Sequence, residues 1–470
     1  MIRRQSRTIP LAFRHRNRMK IIILGAGRTG TSLTTSLAGE ANDIVVVDNN
    51  PELLRELKEK LDIATVLGHA AHPPVLERAG IQDADMLIAV TDKDETNIVA
   101  CQIAHCLYQT KTKIARVRAI EFASYMHLFS REGIPVDLVI SPERIIMQFF
   151  RGLIECPGTQ YVADFADGTV RLVSVRVTRS GFLVGKRIRE LRKQLQHRRL
   201  RFVAIYREGR SIAPNGETVI EERDEVFLVA PKEKINDVLA DMRKHEASYK
   251  RLVFAGGGHV GVRLAMALEN RFQIKIIEKD RARAEKIANL LKRTIVLQGD
   301  AVDTDLLSSE NIEKTDVFCA LTENDGINIL SSTLAKQLGA RKALCIVNHP
   351  LYESLVKRCD IDAAIIPQEP VVSQILKFLR HSDVVQVSGV RGGTAEALEA
   401  VIHAKRKGSE MIGRRVDQLR LPPGVILGAL VRDGTPIPVH HDTVFHEDDH
   451  VVMFLIEKEL IPIVEKLFVD

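Results

Sequence analysis

The 470-residue sequence has no run of eighteen consecutive apolar residues, so no segment reads as a membrane-spanning helix. It has six cysteines, at 101, 106, 156, 319, 345 and 359, and no C-x-x-C pair. They sit mostly among apolar neighbours, so all six, Cys101 and Cys106 included, read as reduced core thiols of a cytosolic protein. The basic N-terminus is followed by no continuous apolar region, so a secretory signal is not expected. Charge excess is confined as well. The formal net charge is +6, and residues 1–18 carry six arginines and no acid. Without those arginines the balance is 61 basic to 61 acidic residues. The body lacks the basic excess of a polyanion binder, which excludes nucleic acid as a partner.

Three readings of residues 1–18 stand: a transit-type leader, a basic arm for phosphate or lipid, and a disordered extension ahead of a native start at Met19. The third is preferred, because a strand begins at Met19-Lys20. The composition, 45% hydrophobic and 27% charged, is that of a soluble globular chain, and the length asks for several domains.

What the body does contain is an internal duplication. Strand-like IIIL runs into Gly25-x-Gly27-x-x-Gly30, and LVFA into Gly256-x-Gly258-x-x-Gly261. Each is followed by a helix and a second apolar strand ending in an acid, Asp48 in DIVVVD and Glu278 in QIKIIE. TVLGHAA pairs with IVLQGDA, DMLIAVTDKDETNIV with DVFCALTENDGINIL, and KIARVR with ALCIVN. Strands that are apolar throughout, alternating with helices, predict a parallel sheet covered on both faces. After each unit comes an apolar helix, SPERIIMQFFRGLI or PQEPVVSQILKFLR, whose stripe must bury against a core or an interface. A small lobe of strands with one or two helices then follows, with tight turns at REG and RDG.

The glycine spacing carries a mechanism. The first glycine allows the tight turn out of the strand. The second admits a phosphate against bare backbone, and the third lets the helix pack close to the sheet. The helix N-terminus then faces the phosphate with unsatisfied N–H groups. Asp48 lies 18 residues past Gly30 and Glu278 lies 17 past Gly261, the place of the acid that accepts from an adenosine ribose. A carboxylate there disfavours a 2′-phosphate. Arg116 and Arg118, two apart on a strand, are expected to share a face near the ligand edge and to suit ATP or ADP; the alternative is a solvated pair. Their counterparts Ile346 and Asn348 leave the second site suited to NAD or to weaker binding. His69 and His72 flank the first site and read as loop-shaping residues. His440, His441, His446 and His450 lack a fixed ligand spacing, and the adjacent His440 and His441 would point to opposite faces of a strand, so a metal is not expected.

Two functions remain. A soluble NAD-dependent oxidoreductase would pair a dinucleotide domain with a substrate lobe carrying an acid or base. A nucleotide sensor would bind and transmit a change of shape. The small lobes show no catalytic grouping, and the grip occurs twice, which favours a sensor that is not an enzyme.

From Met19 to Asp470, in IIILGAGRTG, VVVDNN, ADMLIAVTDKDETNIVACQIA, IARVR and DTVFHEDDHVVMFL, the chain resembles the TrkA family, the peripheral nucleotide-binding subunits of bacterial Trk potassium uptake systems. The resemblance implies an α/β chain of duplicated Rossmann-like parallel-sheet RCK-N domains, each followed by a small α+β RCK-C domain. The implied division is 19–140 and 250–366 for RCK-N, and 141–245 and 367–470 for the linker helices and RCK-C, after a disordered extension at 1–18. It implies binding of NAD(H) and ATP/ADP, and a tetrameric ring of eight RCK units. The ring would lie on the inner face of the plasma membrane, gating a TrkH- or TrkG-type potassium transporter subunit. Carried over by position, the first site comprises Gly25, Ala26, Gly27, Arg28, Thr29, Gly30, Asp48, Gly68, His69, Thr91, Asp92, Arg116 and Arg118. The second comprises Gly256, Gly257, Gly258, His259, Val260, Gly261, Glu278, Gly299, Asp300, Thr322 and Glu323. His69 departs from the family pattern, which more often has Asp or Asn after this glycine; Asp300 keeps it.

Overall fold

The computed structural model describes residues 19–38, 42–119, 122, 125–130, 133–179, 181–195, 199–243, 248–379, 384–390, 395–403, 411–419, 421–437, 439–457, 460–461 and 463–464. The disordered extension expected at 1–18 lies outside them. Two compact units divide the chain, Met1–Ser141 and Pro142–Asp470. No helix among the described residues is long and apolar enough to cross a membrane.

The first unit is one six-stranded parallel sheet. Its strands are β1 (Lys20–Leu24), β2 (Asp43–Asp48), β3 (Ala64–Leu67), β4 (Met86–Ala89), β5 (Thr112–Arg116) and β6 (Leu138–Ile140). Their order is β3-β2-β1-β4-β5-β6, with α1 (Arg28–Ala38), α2 (Pro51–Lys60), α3 (Pro73–Arg78) and α4 (Asp94–Tyr108) as the crossovers. Ile21, Ile22, Ile23 and Leu24 are fully buried, as a central strand covered on both faces requires. The strand order reverses between β1 and β4. At that point the carboxyl ends of neighbouring strands splay apart and leave a crevice. Local signals agree with the sheet. Pro51 opens α2, and the Asn50 side chain accepts from Glu52 and Leu53 N–H, so the helix starts directly after β2.

The second unit begins with α5 (Pro142–Glu155), the first apolar linker helix. An antiparallel sheet follows: β7 (Thr159–Phe165), β8 (Val170–Arg176), β9 (Arg201–Arg207), β10 (Arg210–Ile212) and β11 (Glu225–Pro231), ordered β10-β9-β11-β8-β7. It carries α6 (Ile188–Gln194) and α7 (Lys232–Arg243). The parallel sheet then recurs with the same topology: β12 (Arg251–Ala255), β13 (Gln273–Glu278), β14 (Ile295–Gln298), β15 (Val317–Ala320), β16 (Lys342–Ile346) and β17 (Ala363–Ile365), ordered β14-β13-β12-β15-β16-β17. Its helices are α8 (His259–Leu268), α9 (Arg281–Leu290), α10 (Thr304–Ser309), α11 (Asp325–Gln337) and α12 (Glu353–Arg358). The second linker helix, α13 (Gln368–Leu379), leads into β18 (Val384–Val390), β19 (Ala395–Val401), β20 (Val425–Arg432), β21 (Thr435–Ile437) and β22 (His450–Leu455), ordered β18-β19-β22-β20-β21. Glu208-Gly209 and Asp433-Gly434 make the expected two-residue hairpins, all four residues at positive φ.

The stripe of α5 buries on the second parallel-sheet lobe. Ile146, Phe150, Leu153 and Ile154 share one core with Leu264 and Leu268 of α8. Polar latches close the same seam. Arg271 Nη1 lies 2.5 Å from Glu155 Oε1, and the buried Lys342 ammonium donates to the Thr159 carbonyl at 2.7 Å. The two antiparallel sheets pack face to face around Phe165, Phe227 and Phe454, with Phe227 and Phe454 ring centroids 5.4 Å apart. Glu399, buried in that seam, accepts from Ala166 N–H at 2.8 Å and pairs with His450 Nδ1 at 2.6 Å.

Candidate functional site

Each parallel-sheet lobe builds the same crevice from three loops. The glycine loop after β1 or β12 gives its three glycines three different duties. Gly25 and Gly256 both stand at φ +105°, and a Cβ on either would come about 3 Å from the backbone or side chain of Thr91 or Thr322. That is left-handed backbone in a tight approach, which suits only glycine. A Cβ on Gly30 would sit 1.8 Å from the Gly25 carbonyl oxygen, and one on Gly261 would sit 2.2 Å from that of Gly256. Helix and turn therefore pack at a distance only glycine permits. At Gly27 and Gly258 an added Cβ meets nothing within 4 Å, so the backbone there lies open beside the N-terminus of α1 or α8.

The acid at the end of the second strand holds this loop. Asp48 accepts from Ala26 N–H at 2.6 Å and from Asn50 N–H at 2.8 Å. Glu278 accepts from Gly257 N–H and Asp280 N–H, both at 2.9 Å. Glu278 is one methylene longer than Asp48, and its neighbour is a glycine where the first lobe has an alanine. A Cβ on Gly257 would press on Ile287 Cδ1 at 2.4 Å and Glu278 Oε2 at 3.1 Å, whereas Ala26 is accommodated and buried.

The third loop follows β4 or β15. Asn97 and Asn328, fully buried one turn into α4 and α11, pin it. Asn97 Oδ1 accepts from the Thr91 N–H and hydroxyl, and Nδ2 donates to the Thr91 and Arg116 carbonyls. Asn328 repeats all four bonds with Thr322 and Ile346. Sequence reasoning named the threonines and missed the asparagines. The signal was the Thr-x5-Asn spacing present in both copies. It also missed Asp94 and Asp325, whose carboxylates accept from the backbone after β5 and β16: Arg118 and Ala119 N–H, and Asn348 and His349 N–H. Asp92 and Glu323 are exposed at the loop tips. Arg28 and His259 open the two first helices, followed by Thr29 and by the buried Val260.

Three expectations change. The β5 ladder ends at Arg116, so Arg118 stands in the following loop and does not share a strand face with it. The Arg118 Nε lies 3.8 Å from Asp94 Oδ1, which draws its charge toward that carboxylate. Cys106 is exposed on α4 rather than core; Cys101 is buried, and burial pushes its thiol up to about 12. His440 and His441 lie outside any strand, so the argument from opposite strand faces does not apply to them. Among the described residues, no group of three or more His, Cys, Asp or Glu is arranged to hold a metal.

The third-strand loops differ between the lobes. His69 Nδ1 accepts from Ala71 N–H at 3.3 Å, and its ring lies 4.5 Å from that of His72. Asp300 accepts from Val302 N–H at 3.2 Å and is bound by Lys279 Nζ at 2.8 Å, which holds its carboxyl below the usual carboxylate range.

A twofold β3-β2-β1-β4-β5-β6 sheet with an open glycine cradle, each copy followed by an antiparallel lobe, defines a tandem Rossmann-type protein of the TrkA-N/TrkA-C class. The TrkA-N domain family matches residues 21–142 and 252–367, and the TrkA-C domain family matches 172–243 and 401–461. The chain is 46% identical to the Trk system potassium uptake protein TrkA of Vibrio alginolyticus over 96% of its own length and 98% of that protein's. Identity to its namesake in Haemophilus influenzae is 41% with the same coverage. The chain belongs to the TrkA family. These relatives are named as potassium uptake proteins, not as enzymes. The crystal structure of the GsuK RCK domain has the same fold, with a TM-score of 0.62 at 18% identity, over 100% of this chain and 98% of that one. A GsuK channel bound to NAD matches at TM-score 0.63 and 18% identity, over 96% of this chain and 79% of that one.

Proposed function

We propose that this chain is a cytoplasmic regulatory subunit that gates a membrane potassium uptake transporter of the TrkH or TrkG type in response to NAD(H) and ATP or ADP. It works peripherally on the inner face of the plasma membrane, four chains forming a ring of eight RCK units. The observation that carries the reading is the repeated open cradle. Gly27 and Gly258 leave bare backbone facing free space at a helix N-terminus, twice in one chain. Family membership supplies the potassium system, and the fold is one that a channel solved with NAD also has.

In this reading the lobes at 19–140 and 250–366 each hold one nucleotide. The phosphates lie on the backbone at Gly27 or Gly258, and the ribose lies at Asp48 or Glu278. Thr91 or Thr322, held by its asparagine, closes the other wall. Each acid keeps lone pairs for a ribose hydroxyl beyond the two backbone N–H groups it accepts from, since a carboxylate has about four acceptor sites. Arg116 adds positive charge to the first site alone. A change at the second site has a direct route outward. Lys342 at the head of β16 holds the Thr159 carbonyl, and Arg271 holds Glu155, at the end of the helix that leads into the antiparallel lobes.

The test is potassium flux through the transporter in vesicles, with the purified chain and NADH, ATP or ADP added in turn, alongside NADH oxidation with a hydroxy-acid panel. Ligand-dependent flux without turnover supports the reading. Steady NADH oxidation, or flux indifferent to every nucleotide, overturns it.

A further inference from the structure

Three arginines of the antiparallel lobes are held in one manner. Arg171 on β8 gives its Nε and Nη2 hydrogens to Asp164, at 2.5 and 2.9 Å. Arg207 on β9 gives the same edge to Asp224, both bonds at 2.9 Å. Arg432 on β20 gives it to Asp449, at 2.7 and 2.8 Å. That edge carries two parallel N–H groups, which match the two oxygens of one carboxylate. Arg207 and Arg432 hold their protons more tightly than a free guanidinium does, the hydrogen bond to the carboxylate being the main cause.

Arg201, at the head of β9, is different. Its Nη1 donates to the Val439 carbonyl of the other antiparallel lobe at 2.8 Å. Its Nε, closed off from solvent, meets no acceptor. No carboxylate among the described residues pairs with this guanidinium, and the charge beside it is another cation, Arg192 in the last turn of α6. Burial first, and Arg192 second, push the Arg201 guanidinium down to about 10, so it is still charged at neutral pH. A buried charge without a counter-ion is costly, and the fold does not ask for one at this position. The strand registers set Phe202 against Leu427 and Ala204 against Ala429, which puts Ile426 of β20 where β9 has Arg201. Ile426 packs on the shared core of the two sheets. One lobe therefore fills the position with an alkyl side chain, and the other with a cation whose pairing edge is vacant.

We infer that Arg201 and Arg192 form an anion site between the two antiparallel lobes, and that its ligand is a tetrahedral oxyanion of the phosphate type. Two oxygens take the Nε and Nη2 hydrogens of Arg201, as the Asp224 oxygens take those of Arg207, and Arg192 neutralises the remaining charge. A chloride ion has no second oxygen for the parallel pair of N–H groups. Arg192 is exposed and Arg201 half-buried, so the ion arrives from the solvent side and the long Arg201 side chain turns its Nε to meet it. Free phosphate and the phosphoryl group of a phosphorylated metabolite offer the same chemistry. A ligand here ties β9 and α6 of one lobe to the segment after β21 of the other, because Val439 already holds Nη1. The site is separate from both glycine cradles and does not depend on what they bind.

Thermal unfolding of the full chain, with inorganic phosphate, glycerol phosphate or chloride added at one ionic strength, tests the site. Phosphate is expected to raise the midpoint in a saturable way, and chloride is not. Glycerol phosphate acting at lower concentration than phosphate points to a phosphorylated metabolite as the source, and the reverse order points to free phosphate. Gly27→Val and Gly258→Val fill one glycine cradle each. The chain with both, its fold checked by circular dichroism, is expected to keep the response, which separates it from phosphate lodged at those loops. Arg201→Met keeps the length of the side chain and is expected to weaken phosphate by at least about tenfold, as for one charge-assisted hydrogen bond. Without phosphate the same change is expected to leave the midpoint level or raise it, because an uncompensated charge is gone. Arg192→Gln, a surface change, is expected to weaken phosphate by about threefold. A response that survives Arg201→Met, that vanishes when the cradles are filled, or that chloride reproduces overturns the inference. So does a midpoint of the unmodified chain that phosphate and glycerol phosphate both leave unmoved.

Discussion

The two parallel-sheet lobes share strand order, glycine spacing and the asparagine pin, yet they hold their glycine loops with different parts. The first uses the shorter Asp48 with Ala26 as its neighbour. The second uses the longer Glu278 with Gly257, where an alanine Cβ would press first on Ile287 Cδ1 and then on the Glu278 carboxylate. Constraint thus lies in the summed volume of the contacting group, Ile287 included, and not in any one residue alone. Features that serve the backbone path are identical in both copies: Gly25 and Gly256, Gly30 and Gly261, Asn97 and Asn328. Features at the outer rim differ: His69 and Asp300, Arg116 and Ile346. The duplicated lobe keeps what folds it and varies at its rim.

The sharpest way to break this comparison is at its common part. Gly30→Ala and Gly261→Ala each drive a Cβ into a carbonyl oxygen, and each is expected to destabilise its own lobe by about 3 kcal/mol, seen in thermal unfolding. Similar losses in the two lobes support the shared geometry; a lobe that tolerates the change refutes it there. Next come the pins. Asn97→Ala and Asn328→Ala strand the threonine-loop groups and are expected to cost about 2 kcal/mol each in chemical denaturation, with weaker nucleotide binding in the same lobe.

The third prediction is where the lobes should part. Gly257→Ala presses on Ile287 and Glu278 and is expected to cost about 1–3 kcal/mol, whereas Ala26→Gly should lose only about 0.5–1 kcal/mol, mostly through chain entropy. Making Gly257→Ala together with Ile287→Val, which removes the Cδ1 that the new methyl meets, should recover most of the loss. Absence of any recovery would sink the volume argument.

The smallest effect concerns acid. The Lys279 ammonium, and secondly the Val302 N–H, hold the Asp300 carboxyl below its unfolded value. A depressed carboxyl contributes stability that is fully present above the unfolded value, about pH 3.9, and is lost as pH falls through the folded one. Asp300→Asn should therefore remove a small part of the second lobe's acid sensitivity, measured as the thermal midpoint between about pH 6 and pH 3. An unchanged acid profile would mean the pair contributes nothing.

Much of this architecture was legible before any coordinates. Apolar strands without alternation can only be covered on both faces, and two G-x-G-x-x-G turns with acids 18 and 17 residues on place the cradle and its neighbour. The rest depended on contacts that no spacing reports. An apolar stripe such as Ile146-Phe150-Leu153 announces that it must be covered but not by what, and it lies on α8 of the other lobe. Asn97 sits in a helix, where asparagine has no propensity reason to be, and only its recurrence as Asn328 marked it. Arg118 reads as a strand residue by alternation, yet the β5 ladder stops two residues earlier, where Asp94 gathers the Arg118 and Ala119 amides into a turn. Cys106 has apolar neighbours in sequence but faces outward on α4, because helical neighbours in sequence do not share a face.

The central claim is that one chain carries two separate nucleotide sites. Calorimetric titration with NADH, then ATP, of the unmodified chain and of the Gly27→Val and Gly258→Val chains tests it most directly. The account predicts two binding events per unmodified chain and one in each variant, with ATP favouring the chain that keeps the first site and Arg116. A single event in the unmodified chain, untouched by one of the two valines, would contradict it.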